Sequence, residues 1–112
     1  MRDSAAQQAR LAVAELWARF RPRIMERLGV LEQAMVALEE HRLSDSLRLR
    51  AEQEAHKLAG SLGSFGFAGC TALARAIEMH FRPEAPLTTT DVADLREKVA
   101  ALRSELEKPP TV

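Results

Sequence analysis

Apolar residues recurring at alternating steps of four and three constrain this chain more than any other feature. Ile24, Leu28, Leu31, Met35 and Leu38 follow that spacing, as one face of a helix requires when 3.6 residues complete a turn. Val92, Leu95, Val99, Leu102 and Leu106 repeat it without a break. Two further stripes lie between them, Leu47, Ala51, Ala55, Leu58 and Leu62, then Cys70, Leu73, Ile77 and Phe81. No segment alternates apolar and polar residues as a half-buried strand would, Tyr is absent, and β-branched residues are scattered. Each stripe can be buried only against another helix. Short connections between stripes make antiparallel neighbours.

The punctuation between the stripes sets the expected boundaries. Ser4 is placed to cap a first helix running to about Phe20, with Leu11, Leu16, Trp17 and Phe20 as its apolar stripe. Pro22 then interrupts the helix or opens the next one, since proline suits a first turn. Ser44 and Asp45 offer caps for a helix that follows. "GSFGFAG" predicts a tight connection or helix end near Gly63 to Gly66. Pro83 and Pro86 mark the end of the next helix, and "TTTD" starts the last, with Asp91 favoured by the N-terminal dipole. The expected fold is all-α, an antiparallel four-helix bundle with an additional N-terminal helix. It occupies residues 1–108, and 109–112 form a linker or chain end.

Charge excludes some functions. Lys and Arg total 16 and so do Asp and Glu, which leaves no net field to attract a nucleic-acid backbone. No apolar run approaches the roughly 20 residues that cross a bilayer, so neither nucleic acid nor membrane is an expected partner. The N-terminus lacks the basic-then-apolar layout of a signal peptide, and a cytoplasmic location is expected. Cys70 is the single cysteine, expected as a plain buried thiol. His41 and His80 lie near helix ends, where the dipole explains them. Histidines spread over separate helices supply no zinc ligand set, and no metal or cofactor is expected. No Walker loop, nucleophile elbow or kinase signature is present, so the chain is not expected to be an enzyme.

The stretch "AHKLAGSLGSFGF", residues 55–67, does not fit a purely structural helix. With Ala51 at zero and about 100° per residue, Leu47, Ala55, Leu58 and Leu62 lie within about 40° of it, whereas His56 falls at about 140°. Leu49, Glu52, Gln53, Gly60 and Gly63 share its side. A glycine inside a helix costs about 1 kcal/mol relative to alanine. Bare backbone beside an exposed imidazole suits the close approach of another body. The other reading has Gly60 serving a neighbouring helix and His56 as an ordinary surface residue. Geometry alone leaves both open.

At these residues the chain resembles histidine-containing phosphotransfer domains, whose signature runs roughly H-x-x-K-G-S-S-x-x-x-G. His56, Gly60, Ser61 and Gly66 stand in register with it, and the resemblance extends to the order of helices over nearly the whole chain. It implies a four-helix bundle that accepts a phosphoryl group on Nε2 of His56. It also implies exchange of that group with the aspartate of a response-regulator receiver domain that supplies Mg²⁺, with a sensor histidine kinase upstream. The form of the motif is most similar to modules joined to receiver or output domains in multidomain bacterial regulators. The implied docking face comprises Leu49, Glu52, Gln53, Lys57, Ala59, Gly60 and Gly63, and the isolated domain is expected to be monomeric. A neutral imidazole with an ordinary pKa of about 6.5 is a competent nucleophile near pH 7.

One position departs from the family pattern. Ala59 stands where the family usually has Lys, and Lys57 is rotated by about 100° from His56. Arg75 on the next helix is the candidate replacement for that charge. Glu78 lies on the flank of the same helix, which returns antiparallel towards His56. By resemblance to the phosphotransfer domains of chemotaxis kinases, Glu78 bonds the ring and orients it. The alternative to a phosphocarrier is a helical scaffold that binds a partner without being phosphorylated.

Overall fold

A computed structural model of the protein describes residues 2–85 and 87–109. Four helices follow one another, α1 (Arg2–Glu39), α2 (Asp45–Ser61), α3 (Ala68–Phe81) and α4 (Thr89–Leu106), with a 3₁₀ turn at Leu62–Phe65 between α2 and α3. Among the described residues α1 packs on α2, α2 on α3, α3 on α4 and α4 on α1, and the diagonal pairs do not meet. That ring is a four-helix bundle. Leu28, Leu31, Leu58, Leu62, Ile77, Phe81, Leu95, Leu102 and Leu106 fill its axis and are almost wholly excluded from solvent. Among the described residues no polar or charged residue is buried.

The expected N-terminal helix is not a separate element. It is continuous with the next as the 38-residue α1, and Pro22 sits inside it. Ser4 therefore lies within the helix instead of capping it. Proline in a helix interior removes one hydrogen bond and costs about 3 kcal/mol, so something must hold the helix on both sides. Trp17 and Ile24 are seven residues apart, hence on one face, and both are buried. Trp17 packs on Phe65 and Phe67, with ring centroids 5.6 and 4.7 Å away, and Phe20 packs on Phe65 at 5.7 Å. The expected stripe of this segment is largely solvent-facing, because Leu11, Leu16 and Phe20 are exposed and only Trp17 is buried. At about 1.5 Å per residue, α1 spans the 57 Å long axis of the molecule.

The caps follow from the residues that form them. Ser44 accepts a hydrogen bond from the Leu47 amide at 3.1 Å and starts α2. Thr88 and Asp91 form a reciprocal capping box on α4; their bonds hold the Asp91 carboxyl below the usual range. Gly66 closes the 3₁₀ turn in the left-handed region, with φ 85°. α3 ends at Phe81, before Pro83, while Pro86 and residues 110–112 lie outside the described residues. Cys70 is buried and unpaired, and burial pushes its thiol pKa up.

Two histidines do more than sit near a helix dipole. His80 Nε2 lies 2.8 Å from Asp94 on α4, whose other carboxylate oxygen takes Lys98 at 2.6 Å. Those bonds hold the Asp94 carboxyl below its usual range. His41 ends α1 with φ 56°. Its amide bonds Leu38 O at 3.1 Å and the Arg42 amide bonds Ala37 O at 2.8 Å, the paired closure of a helix that normally has glycine at this place. A side chain in that conformation is strained by about 1–2 kcal/mol. His41→Gly should therefore raise stability by roughly 0.5–1 kcal/mol, after the added chain entropy of glycine is subtracted. Urea unfolding with unchanged slope and a higher midpoint is the expected result. An unchanged or lower midpoint would show that the imidazole makes a compensating contact.

Candidate functional site

α2 and α3 make the most extensive helix contact in the molecule. Ala51 and Ala55 on α2 and Ala74 on α3 are fully buried, and side chains this small let helix axes approach. The outer flank of α2 thereby meets the outer flank of α3. His56 stands on that flank with 74% of its side chain exposed, and Glu78 beside it with 14%.

The ring is held at one nitrogen. His56 Nδ1 lies 3.1 and 3.2 Å from the two carboxylate oxygens of Glu78. An ionised carboxylate only accepts hydrogen bonds, so Nδ1 carries the hydrogen in this pairing. Nε2 is then the lone-pair nitrogen, and it has no hydrogen-bond partner among the described residues. Two shallow hollows open on either side of the ring. One is lined by Glu52, Gln53, His56, Lys57 and Glu78. The other includes His56, Ala59, Gly60, Arg75 and Glu78, with Met79 and Arg82 completing it.

The residues of the expected docking face are not equivalent. Gly60 is exposed, and a Cβ built there would meet nothing within 4 Å, so no internal packing demands a glycine at that place. Gly63 lies in the 3₁₀ turn, where a Cβ would touch Thr71 Oγ1 at 3.7 Å, and it lines neither hollow. Leu49 is exposed one turn or more before the ring and also lines neither. Ala59 is 8% exposed and contributes only an edge. Lys57 turns towards Glu54 at 3.5 Å, and Glu54 also receives Arg27 of α1 at 3.4 Å. Ser61 donates back to Lys57 O at 2.9 Å. Glu52 has one buried carboxylate oxygen without a hydrogen-bond partner.

Sequence reasoning overlooked three residues around this site. Arg48 donates to the carbonyls of Phe81 at 3.1 Å, Ala85 at 2.8 Å and Arg82, tying the start of α2 to the end of α3. Met79 is 53% exposed beside the ring, although it is apolar. Its position off the Cys70–Ala74–Ile77–Phe81 face was the available signal. Arg82 lines the hollow from the end of α3. Among the described residues no group of His, Cys, Asp or Glu is arranged to hold a metal ion.

The comparison with known proteins decides the family. The family described as Hpt domain matches residues 15–105. The chain belongs to the Hpt domain family. Protein RcaC of Microchaete diplosiphon is 30% identical over 105 residues, covering 93% of this chain but only 16% of that protein. No solved structure matches. As an Hpt domain, the chain functions in histidine phosphotransfer within a two-component phosphorelay. Hpt domains work with response regulators and histidine kinases, and they are phosphocarriers, not kinases. No helix among the described residues is long and apolar enough to cross a membrane.

The pairing of His56 with Glu78 has a direct spectroscopic consequence. Glu78→Ala should shift the neutral ring away from the Nδ1–H tautomer towards Nε2–H, read from the ring ¹⁵N shifts. Stability should change by no more than about 1 kcal/mol, since the imidazole is largely exposed. An unchanged tautomer in the variant would mean that Glu78 does not orient the ring.

Proposed function

We propose that His56 is the phosphoacceptor of this Hpt domain and exchanges the group with the aspartyl phosphate of a receiver domain. One observation carries the reading: a carboxylate grips Nδ1 while Nε2 stays open on a ring that is 74% exposed. The Nε2 lone pair attacks phosphorus, the Nε2–P bond forms, and the P–O bond to the receiver carboxylate breaks with its electron pair returning to that oxygen. The proton stays on Nδ1, so the ring becomes cationic as the bond forms, and Glu78 stabilises that charge. Transfer back to an aspartate follows the same path in reverse.

Phosphoryl transfer asks little of a carrier beyond placement and charge balance. The receiver brings the Mg²⁺ and the carboxylate cluster that binds it, and a sensor kinase upstream supplies the group. Gly60 keeps the path to Nε2 clear. Arg75, in the same hollow, balances phosphoryl charge in place of the lysine that Ala59 replaces. Glu52, Gln53, Lys57 and Leu49 form the flank on which the receiver rests. The chain acts as a monomeric cytoplasmic carrier and hydrolyses no nucleotide.

His56→Gln should abolish uptake of acid-labile, base-stable phosphate from a phosphorylated receiver while leaving helicity intact. Label retained by that variant would place the acceptor elsewhere. Gly60→Glu tests the approach path separately. It should melt no lower than the parent, because a side chain there meets open space and restores helix propensity worth up to about 1 kcal/mol. Transfer from the receiver should fall sharply, whereas charging by a small donor such as phosphoramidate should persist. Equal transfer from the receiver in parent and variant would remove the steric argument.

A further inference from the structure

A phosphoryl group arriving on Nε2 brings negative charge to a site that must offset it. The position three residues after the histidine is Ala59, uncharged and 8% exposed. Lys57 is turned to Glu54 at 3.5 Å. What remains beside the ring is a pair of guanidinium groups, Arg75 on α3 and Arg82 at the cap just past its end, in one hollow with His56 and Gly60.

We propose that Arg82 is a phosphoryl-binding residue of this domain, closing with Arg75 on the oxygens of the group carried by Nε2. The proposal rests on His56 being the acceptor. Arg75, Glu78 and Arg82 are spaced i, i+3 and i+7, which places them on one stripe of α3. Glu78 sits at the centre and grips Nδ1, so a cation stands about one turn to either side of the nitrogen's anchor. Arg82 is the last residue of that stripe, at the point where the backbone leaves the helix with ψ 136°. A helix end would ordinarily fray, but Arg48 binds the carbonyls of Phe81, Arg82 and Ala85. The position of Arg82 is thereby fixed by a residue of the same helix that carries His56.

Charge points the same way. Among the described residues Arg27, Arg42, Arg96 and Arg103 each meet a carboxylate, whereas Arg10, Arg19, Arg21, Arg23 and Arg50 meet none, so only an unpaired arginine that also borders the ring bears on the site. Arg75 and Arg82 have no carboxylate partner among the described residues, although both border a hollow that contains Glu78. Glu78 is committed to the ring. Two unpaired cations facing one cleft repel each other, and an anion between them relieves that repulsion. A tetrahedral phosphoryl group offers three oxygens, enough for a guanidinium on each side.

The test charges the protein with phosphoramidate and follows ³¹P NMR, with His56→Gln as the control. If the parent forms no acid-labile phosphohistidine, the acceptor assignment fails and the Arg82 proposal falls with it. If it does, Arg82→Gln should slow charging at least roughly tenfold and move the phosphohistidine ³¹P resonance. Arg82→Lys should recover part of the rate and not the resonance position, because ammonium cannot reproduce the guanidinium fork. The Arg48 bonds use the backbone carbonyl, so the melting temperature of Arg82→Gln should match the parent. Unchanged rate and resonance in Arg82→Gln would overturn the proposal. Loss of the fold would overturn it as well, by assigning the side chain to packing.

Discussion

The contact between α2 and α3 sets the chemistry above it. Fully buried alanines at 51, 55 and 74 bring the two helices close enough for an α3 carboxylate to reach an α2 imidazole 22 residues earlier. A larger residue at any of the three would push the flanks apart by ångströms, and a hydrogen bond of 3.1 Å has little tolerance for that. The exposed pair therefore depends on an interior that contains no polar side chain among the described residues. Core packing supplies the position, and the surface supplies the reactivity.

Several interactions between distant parts of the chain keep that contact in register. Arg48 fastens the N-terminal half of α2 to the C-terminal end of α3, satisfying carbonyls that the helix leaves without partners. At the opposite end the 3₁₀ turn is clamped by Trp17 through Phe65 and Phe67. The α2–α3 hairpin is held at both ends, with His56 between the two anchors. Glu32 and Arg103 join α1 to α4, with a 2.7 Å bond as one of two contacts, and His80 with Asp94 joins α3 to α4. Partly exposed pairs of this kind contribute about 1 kcal/mol each. Their value lies in register more than in stability.

The division of labour around the ring explains why a balanced chain can handle a highly charged group. Net charge is zero, yet Arg75 and Arg82, which have no carboxylate partner among the described residues, share a hollow with His56 and Glu78. Such local asymmetry costs the rest of the molecule little, since about half of the other charges among the described residues meet an opposite partner nearby. Phosphoryl traffic needs that local field and no global one.

Periodicity alone made legible α2, α3, α4 and the second half of α1, with their buried faces, and the outward direction of His56. The reason is that 3.6-residue periodicity is a local property, and Ile24 to Leu38 or Val92 to Leu106 carry it without reference to any neighbour. Ser44 and the Thr88–Asp91 box were legible for the same reason, since a cap needs only three or four adjacent residues. The placement of Glu78 near His56 followed from an antiparallel return together with a family resemblance. Its 3.1 Å approach to one particular nitrogen did not, because that distance depends on how closely two helices pack. Pro22 reads locally as a boundary but lies inside α1. Its local cost argues for a break, and only the burial of Trp17 and Ile24 on one face of α1 overrides it. Arg48 and Arg82 carried no local signal, since a surface arginine looks alike wherever it points, and Met79 showed only that it lies off the buried face of α3. Only the tertiary structure could decide which of them face the histidine, because that depends on residues more than twenty positions away in the chain.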